Sequence, residues 1–150
     1  MSIKRGYHWV SLCLFFLLVS GCGDGKVRRY PVSGSVKVDG RPAENAVVIF
    51  CPVNAAPEVT NLRPSGMTDA QGSYKMMSIK PGDGAPAGQY KVIVKWPAPA
   101  AAGADDREGR GPKLGPDRLK GKYYDLDKSS LNATVEKKTN EIPPFELSTK

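Results

Sequence analysis

Gln89-Tyr90-Lys91-Val92-Ile93-Val94-Lys95-Trp96 sets Tyr90, Val92, Val94 and Trp96 on one side of an extended chain and Lys91, Ile93 and Lys95 on the other. Side chains alternate between the faces of a strand, so this period of two predicts an amphipathic strand with one face in a core. Upstream, Val32, Gly34, Val36 and Val38 alternate with Ser33, Ser35 and Lys37 and predict a second such strand, closed by Asp39-Gly40, a dipeptide suited to a tight hairpin turn. Ala46 to Val53 is nearly all apolar and rich in β-branched residues, which predicts a strand with little solvent on either face. In Thr68-Asp69-Ala70-Gln71-Gly72-Ser73-Tyr74 the Asp69 carboxylate can cap a turn while Gly72 takes the left-handed conformation, putting Tyr74 and Met76 on the inner face. The remaining strand candidates are Leu131 to Lys137 and Phe145 to Ser148, and Pro143-Pro144 confines the start of the last to an edge or bulge.

Six or seven short strands separated by turns, with no helical period, predict an all-β, antiparallel sandwich of seven strands (six to eight), immunoglobulin-like or prealbumin-like; a barrel is the alternative. The 150 residues, with 16 Gly and 13 Pro recurring between short apolar runs, make one domain and argue against long helices. That domain is expected over 30–148. Within it, 97–120 is rich in Gly and Pro, offers no apolar face and reads as a long loop insertion.

The N-terminus explains where the domain works. Lys4 and Arg5 precede the apolar run Val10 to Val19, which ends in Ser20-Gly21-Cys22. The run is too short to span a bilayer as a helix, and its flanks are those of a signal peptide over 1–21. Val19-Ser20-Gly21-Cys22 resembles the bacterial lipobox, which implies cleavage before Cys22 and diacylation of its sulfur. Residues 22–29 then form a short basic tether, whose Arg28 and Arg29 could touch anionic head groups. The expected location is exported and membrane-anchored, on the periplasmic side or the cell surface. Gly23 at the position after the lipidated cysteine leans towards the outer membrane.

Little in the sequence carries chemistry. The only histidine, His8, leaves with the signal peptide, which excludes His-based triads and His-ligated metals from the mature chain. Once Cys13 is removed and Cys22 acylated, Cys51 is the one remaining thiol, so no intrachain disulfide forms. Beside Val48, Ile49 and Phe50 it is expected to pack as a small hydrophobe; the competing reading, a nucleophile, lacks a neighbouring base. Asp125 and Asp127 would share one side of a strand and could hold calcium with backbone carbonyls, but no loop of recognisable spacing surrounds them, and solvated charge is the expectation. No cofactor, metal or catalytic group is assigned.

Three segments now stand in order: Val32-Ser33-Gly34-Ser35-Val36 with Asp39-Gly40 and Pro42; Val48-Ile49-Phe50-Cys51-Pro52; and the 68–74 turn followed by Pro86-Ala87-Gly88-Gln89-Tyr90-Lys91-Val92. Together they resemble the carboxypeptidase regulatory-like, or transthyretin-like, β-sandwich. The tail, Lys122-Tyr123-Tyr124-Asp125 through Phe145-Glu146-Leu147, is similar to that of small bacterial lipoproteins carrying the domain. The resemblance implies a non-catalytic accessory module.

The expected function is therefore that of a membrane-anchored cell-envelope lipoprotein acting in binding, adhesion or scaffolding; the alternative is an envelope enzyme, or its accessory subunit, acting on carbohydrate or peptide. Its partners would be the membrane, through lipid on Cys22, and an envelope protein or polysaccharide. An exported chain makes nucleic acid a poor partner despite its net charge of +7. Loops of a rigid sandwich are the usual place for recognition. The expected partner surface is Arg107, Arg110, Lys113, Arg118, Lys120 and Lys122 with Tyr123 and Tyr124, and Trp96 as a further aromatic if it is exposed beside the tyrosines.

Overall fold

A computed structural model of the chain describes residues 27–99 and 115–150. The expected signal peptide over 1–21, Cys22 and the candidate residues Arg107, Arg110 and Lys113 lie outside the described residues. In chain order the elements are β1 (Arg29–Tyr30), β2 (Val32–Val38), β3 (Arg41–Pro42), β4 (Val47–Val53), α1 (Pro57–Thr60), β5 (Ser65–Met67), β6 (Ser73–Lys75), β7 (Ala85–Pro86), β8 (Gly88–Lys95), β9 (Asn132–Val135), β10 (Asn140–Glu141) and β11 (Phe145–Leu147). Seven of these strands have three residues or more, and the chain is an all-β, predominantly antiparallel sandwich, as its alternation predicts.

One sheet runs in the order β5-β4-β8-β9 and is antiparallel throughout, with Phe50 opposite Val92 and Ile49 opposite Ile93. The other is built around β2. Along one edge of β2 lie β6 and β3, antiparallel; along its other edge lie β10 and β11, both parallel to it. These two parallel pairings are the exceptions in a predominantly antiparallel arrangement. They arise because the chain after β9 returns to the edge of β2 from the same end, with Asn140 N–H donating to Pro31 O at 2.9 Å and Ile142 N–H to Ser33 O at 2.8 Å.

The alternation read from sequence places the core. Val32, Val36 and Val38 of β2, Val48 and Phe50 of β4, and Tyr90, Val92 and Val94 of β8 are buried together with Tyr74, Met76, Phe145 and Leu147. Burying each of these side chains stabilises the fold by roughly 1.5–3 kcal/mol relative to leaving it exposed. The turns form as expected: Asp39 and Gly40 have φ of 50° and 78°, Gly72 has φ of 73°, and Asp69 Oδ1 accepts from Gln71 and Ser73 N–H at 3.0 and 2.8 Å.

Two boundaries move. Arg29 was expected in the tether, but it pairs with Pro86 in β1–β7, and its Nε lies 2.8 Å from Asp83 Oδ2, so the folded domain already includes it. The 97–120 insertion was expected to offer nothing apolar, yet Leu119 is buried in the core. The feet of that segment are zipped together, with Pro97 bridging Asp117 and Ala98 N–H donating to Pro116 O at 2.9 Å.

Candidate functional site

Asp117 organises the returning foot. Its Oδ1 accepts from Trp96 N–H at 2.9 Å and from Leu119 N–H at 3.2 Å, and its Oδ2 from Gly121 N–H at 2.7 Å. A carboxylate satisfying three amides fixes a bend that the sequence presented only as loop charge. The bend lays the Arg118 guanidinium over the Trp96 ring, 3.4 Å from its centroid, while the indole N–H donates to Glu44 O at 2.9 Å.

The other expected surface residues disperse from there. Tyr123 packs against the core, and its hydroxyl oxygen accepts from Ser148 N–H at 3.1 Å. Lys122 Nζ sits 5.2 Å from the Tyr123 ring centroid and donates to the Lys150 carbonyl. Tyr124 is exposed and meets Lys95, whose Nζ lies 5.6 Å from its ring centroid. Lys120, at φ 53°, is exposed on the bend. Trp96, Tyr123 and Tyr124 therefore form no common stacking platform, since each ring is engaged by a different neighbour.

A concavity lies on the outer face of the β2 sheet. Lys75 and Glu141 are both register partners of Ser33, so a cation, a hydroxyl and a carboxylate stand in one row across three strands. At the usual strand spacing the two charged residues are about 10 Å apart at Cα. Ser33, Ser35 and Ser73 make a low polar floor between Met67 and Met77 on one side and Pro144 on the other, enclosing about 630 Å³. Met67 and Met77 are 56% and 45% exposed. A second hollow of about 660 Å³ opens on the far side of Met67, lined by Arg41, Pro42, Glu44, Trp96, Pro99 and Arg118. The two share Met67 and adjoin at that side chain as one two-part trough.

Of the expected surface residues that the structure describes, Arg118 and Trp96 line this trough. Its other walls come mainly from residues that the sequence presents as turn or outward strand positions, and no local pattern marks Met67. Cys51 is buried, but it shares the outward phase of Val47 and Ile49 and lies outside the main core; Arg63 covers it, Nη1 contacting Sγ at 2.8 Å. Asp125 and Asp127 are in a turn and not on a strand, which corrects the shared-face geometry. Asp125 Oδ1 accepts from Asp127 N–H at 3.0 Å, and Lys128 pairs with it at 3.0 Å. The hydrogen bond from Lys128, with that amide, holds the Asp125 carboxyl below the usual range. Among the described residues no group of three or more His, Cys, Asp or Glu is placed to hold a metal ion. No described helix is long and apolar enough to cross a membrane.

No family model matches the chain. No curated protein matches it either. Among solved structures it is similar to a 9R-lipoxygenase from Cyanothece PCC8801, at 11% identity and a TM-score of 0.41, over 80% of this chain and 16% of that one. A likeness of that degree carries no inference about activity.

Proposed function

We propose that the protein is a lipid-anchored module of the bacterial cell envelope that binds an extended polypeptide in the trough joined at Met67, and that it does so without catalysis. The lipobox-like Val19-Ser20-Gly21-Cys22 and the resemblance to carboxypeptidase regulatory-like lipoproteins support the anchoring. The observation that carries the binding reading is the pair of hollows meeting at an exposed methionine. Methionine is unbranched and polarizable, so it adapts to varied apolar side chains. The serine floor offers donors and acceptors to a main chain, and Lys75, Glu141, Arg41 and Glu44 supply both signs of charge along the path.

Polypeptide fits this trough better than polysaccharide. Sugars stack on open aromatic faces, whereas the Trp96 face is covered by Arg118 and Tyr123 is packed against the core. Replacing Met67 by a photoreactive amino acid in the full-length protein, with Lys128 as the reference position, tests the reading in native envelopes. Polypeptide adducts are expected from position 67 and not from 128. Adducts with glycan alone, or the same adducts from both positions, overturn it, and turnover of a carbohydrate or peptide by the purified protein would install the enzyme alternative.

A further inference from the structure

The end of the sandwich where the tether leaves has a built surface of its own. Asp83 gathers the amides of Ser78, Ile79 and Lys80 on its carboxylate at 2.7, 3.2 and 3.2 Å and pairs with Arg29 at 2.8 Å. This ties the 78–83 loop to the first strand of the domain. From that fixed loop Ile79 projects 63% exposed, the most exposed large apolar side chain among the described residues. Lys80 stands next to it. The 136–139 turn lies at the same end, because Asn140 bonds to Pro31 O and Val135 faces Gly88. It presents Lys137, while Lys138 is paired with Glu136. Arg28, Lys80 and Lys137 have no ion-pair partner among the described residues.

Chain length decides what this end meets. From Cys22 to Val27 there are five residue steps, which span at most about 18 Å fully extended. A domain held by acyl chains on Cys22 thus keeps this end within reach of the head groups, whatever path the tether takes. We propose that the tip around Ile79 and Lys80, with Arg28 and Lys137, is a membrane-contact surface: Ile79 enters the boundary between head groups and acyl chains while the three cations meet anionic phosphates. This rests on the lipid-anchored reading above. Tethering keeps the local lipid concentration high, so one apolar side chain and a few charges suffice to orient the domain. Pro81 and Gly82 line the near end of the trough, which would then rise away from the bilayer towards Trp96.

The test uses the full-length acylated protein on vesicles of phosphatidylethanolamine containing phosphatidylglycerol, with nitroxide-bearing lipid as a quencher. A fluorophore is attached at Ile79→Cys, or at Glu44→Cys on the opposite end, in a Cys51→Ala background. Quenching at 79 should be severalfold stronger than at 44. It should fall to the level of 44 in Lys80→Glu/Lys137→Glu, or when phosphatidylglycerol is omitted, with vesicle flotation unchanged. Flotation with equal quenching at 79 and 44 overturns the contact surface and leaves the anchoring intact. Failure of the acylation-competent chain to float overturns the anchoring reading, and the contact surface with it.

Discussion

Tyr74 lies directly across the backbone of Gly34: a Cβ added at residue 34 would fall 2.5 Å from the Tyr74 hydroxyl oxygen and 2.7 Å from Cζ. The two residues are register partners on β6 and β2, and the ring continues over the glycine to stack on Phe145 at 6.5 Å between centroids. Gly34 therefore serves close approach. Its backbone is ordinary strand, so the missing side chain is the reason for the residue. Gly34→Ala should destabilise the domain by about 1–3 kcal/mol through overpacking. Denaturant unfolding of the variant checks this, and the loss should shrink when Tyr74 is also replaced by Leu.

The same tyrosine hydroxyl is buried with no hydrogen-bond partner among the described residues. Burial pushes its titration well above the usual phenol range. Tyr90 makes the contrast: its hydroxyl donates to Pro86 O at 2.7 Å, and burial pushes it up to about 12. An unpaired buried hydroxyl costs about 1–3 kcal/mol, whereas a paired one contributes. Tyr74→Phe should thus leave stability unchanged or raise it by about 1 kcal/mol, and Tyr90→Phe should lower it. Equal losses in thermal unfolding would contradict the assignment.

Asp117 should report on the feet of the loop. Removing a carboxylate that accepts three amides leaves partly buried donors unsatisfied, so Asp117→Ala should cost about 1–3 kcal/mol. Trp96 is the one tryptophan among the described residues, so in a chain lacking residues 1–21 its fluorescence reads the site directly. The variant should release Arg118 from the ring and shift emission to the red, while Arg118→Ala shifts emission with little loss of stability.

What the sequence disclosed follows from how local each signal is. Val32 to Val38, Tyr90 to Trp96 and the Asp69–Gly72 turn are legible because period and turn chemistry sit within a few residues. The parallel pairing of Phe145 with Val36 is not, since it depends on where a chain more than a hundred residues later comes to rest. Leu119 gave no pattern, being a single apolar residue among Gly, Pro and charge that reaches the core only because Asp117 bends the backbone. Cys51 has an apolar sequence neighbourhood, but its cover is Arg63, which the period of β4 does not reveal. The trough was hidden for a related reason: Met67 lies on β5, Ser33 on β2 and Trp96 just past the end of β8, and only the packing of those elements brings them to one surface.

Cys51 should accordingly resist modification for a reason specific to Arg63. The sulfur is buried beneath a guanidinium. A thiol reagent should label the native protein slowly, and only to the extent that it opens. Arg63→Ala should speed labelling severalfold without a comparable fall in global stability. Rapid labelling of the wild type would mean that the cover is not maintained in solution.

Acid should loosen the tether end in a defined window. Burial of the Asp83 carboxyl acts to raise its titration, but the amides of Ser78, Lys80 and Ile79 and the charge of Arg29 outweigh this and hold it below its ordinary value of 3.8. A carboxyl depressed in the folded state contributes stability that is fully present above its unfolded value and is lost as pH falls through the folded one. The 78–83 loop should therefore be insensitive to pH from neutrality down to about 4 and open below it, as protonation removes both the Arg29 pair and the charged acceptor. Asp83→Asn should show the open loop already at neutral pH and lose the acid transition. Hydrogen exchange at the amides of Ser78, Ile79 and Lys80 measures both, and a transition that persists unchanged in Asp83→Asn would assign the acid sensitivity to another carboxyl.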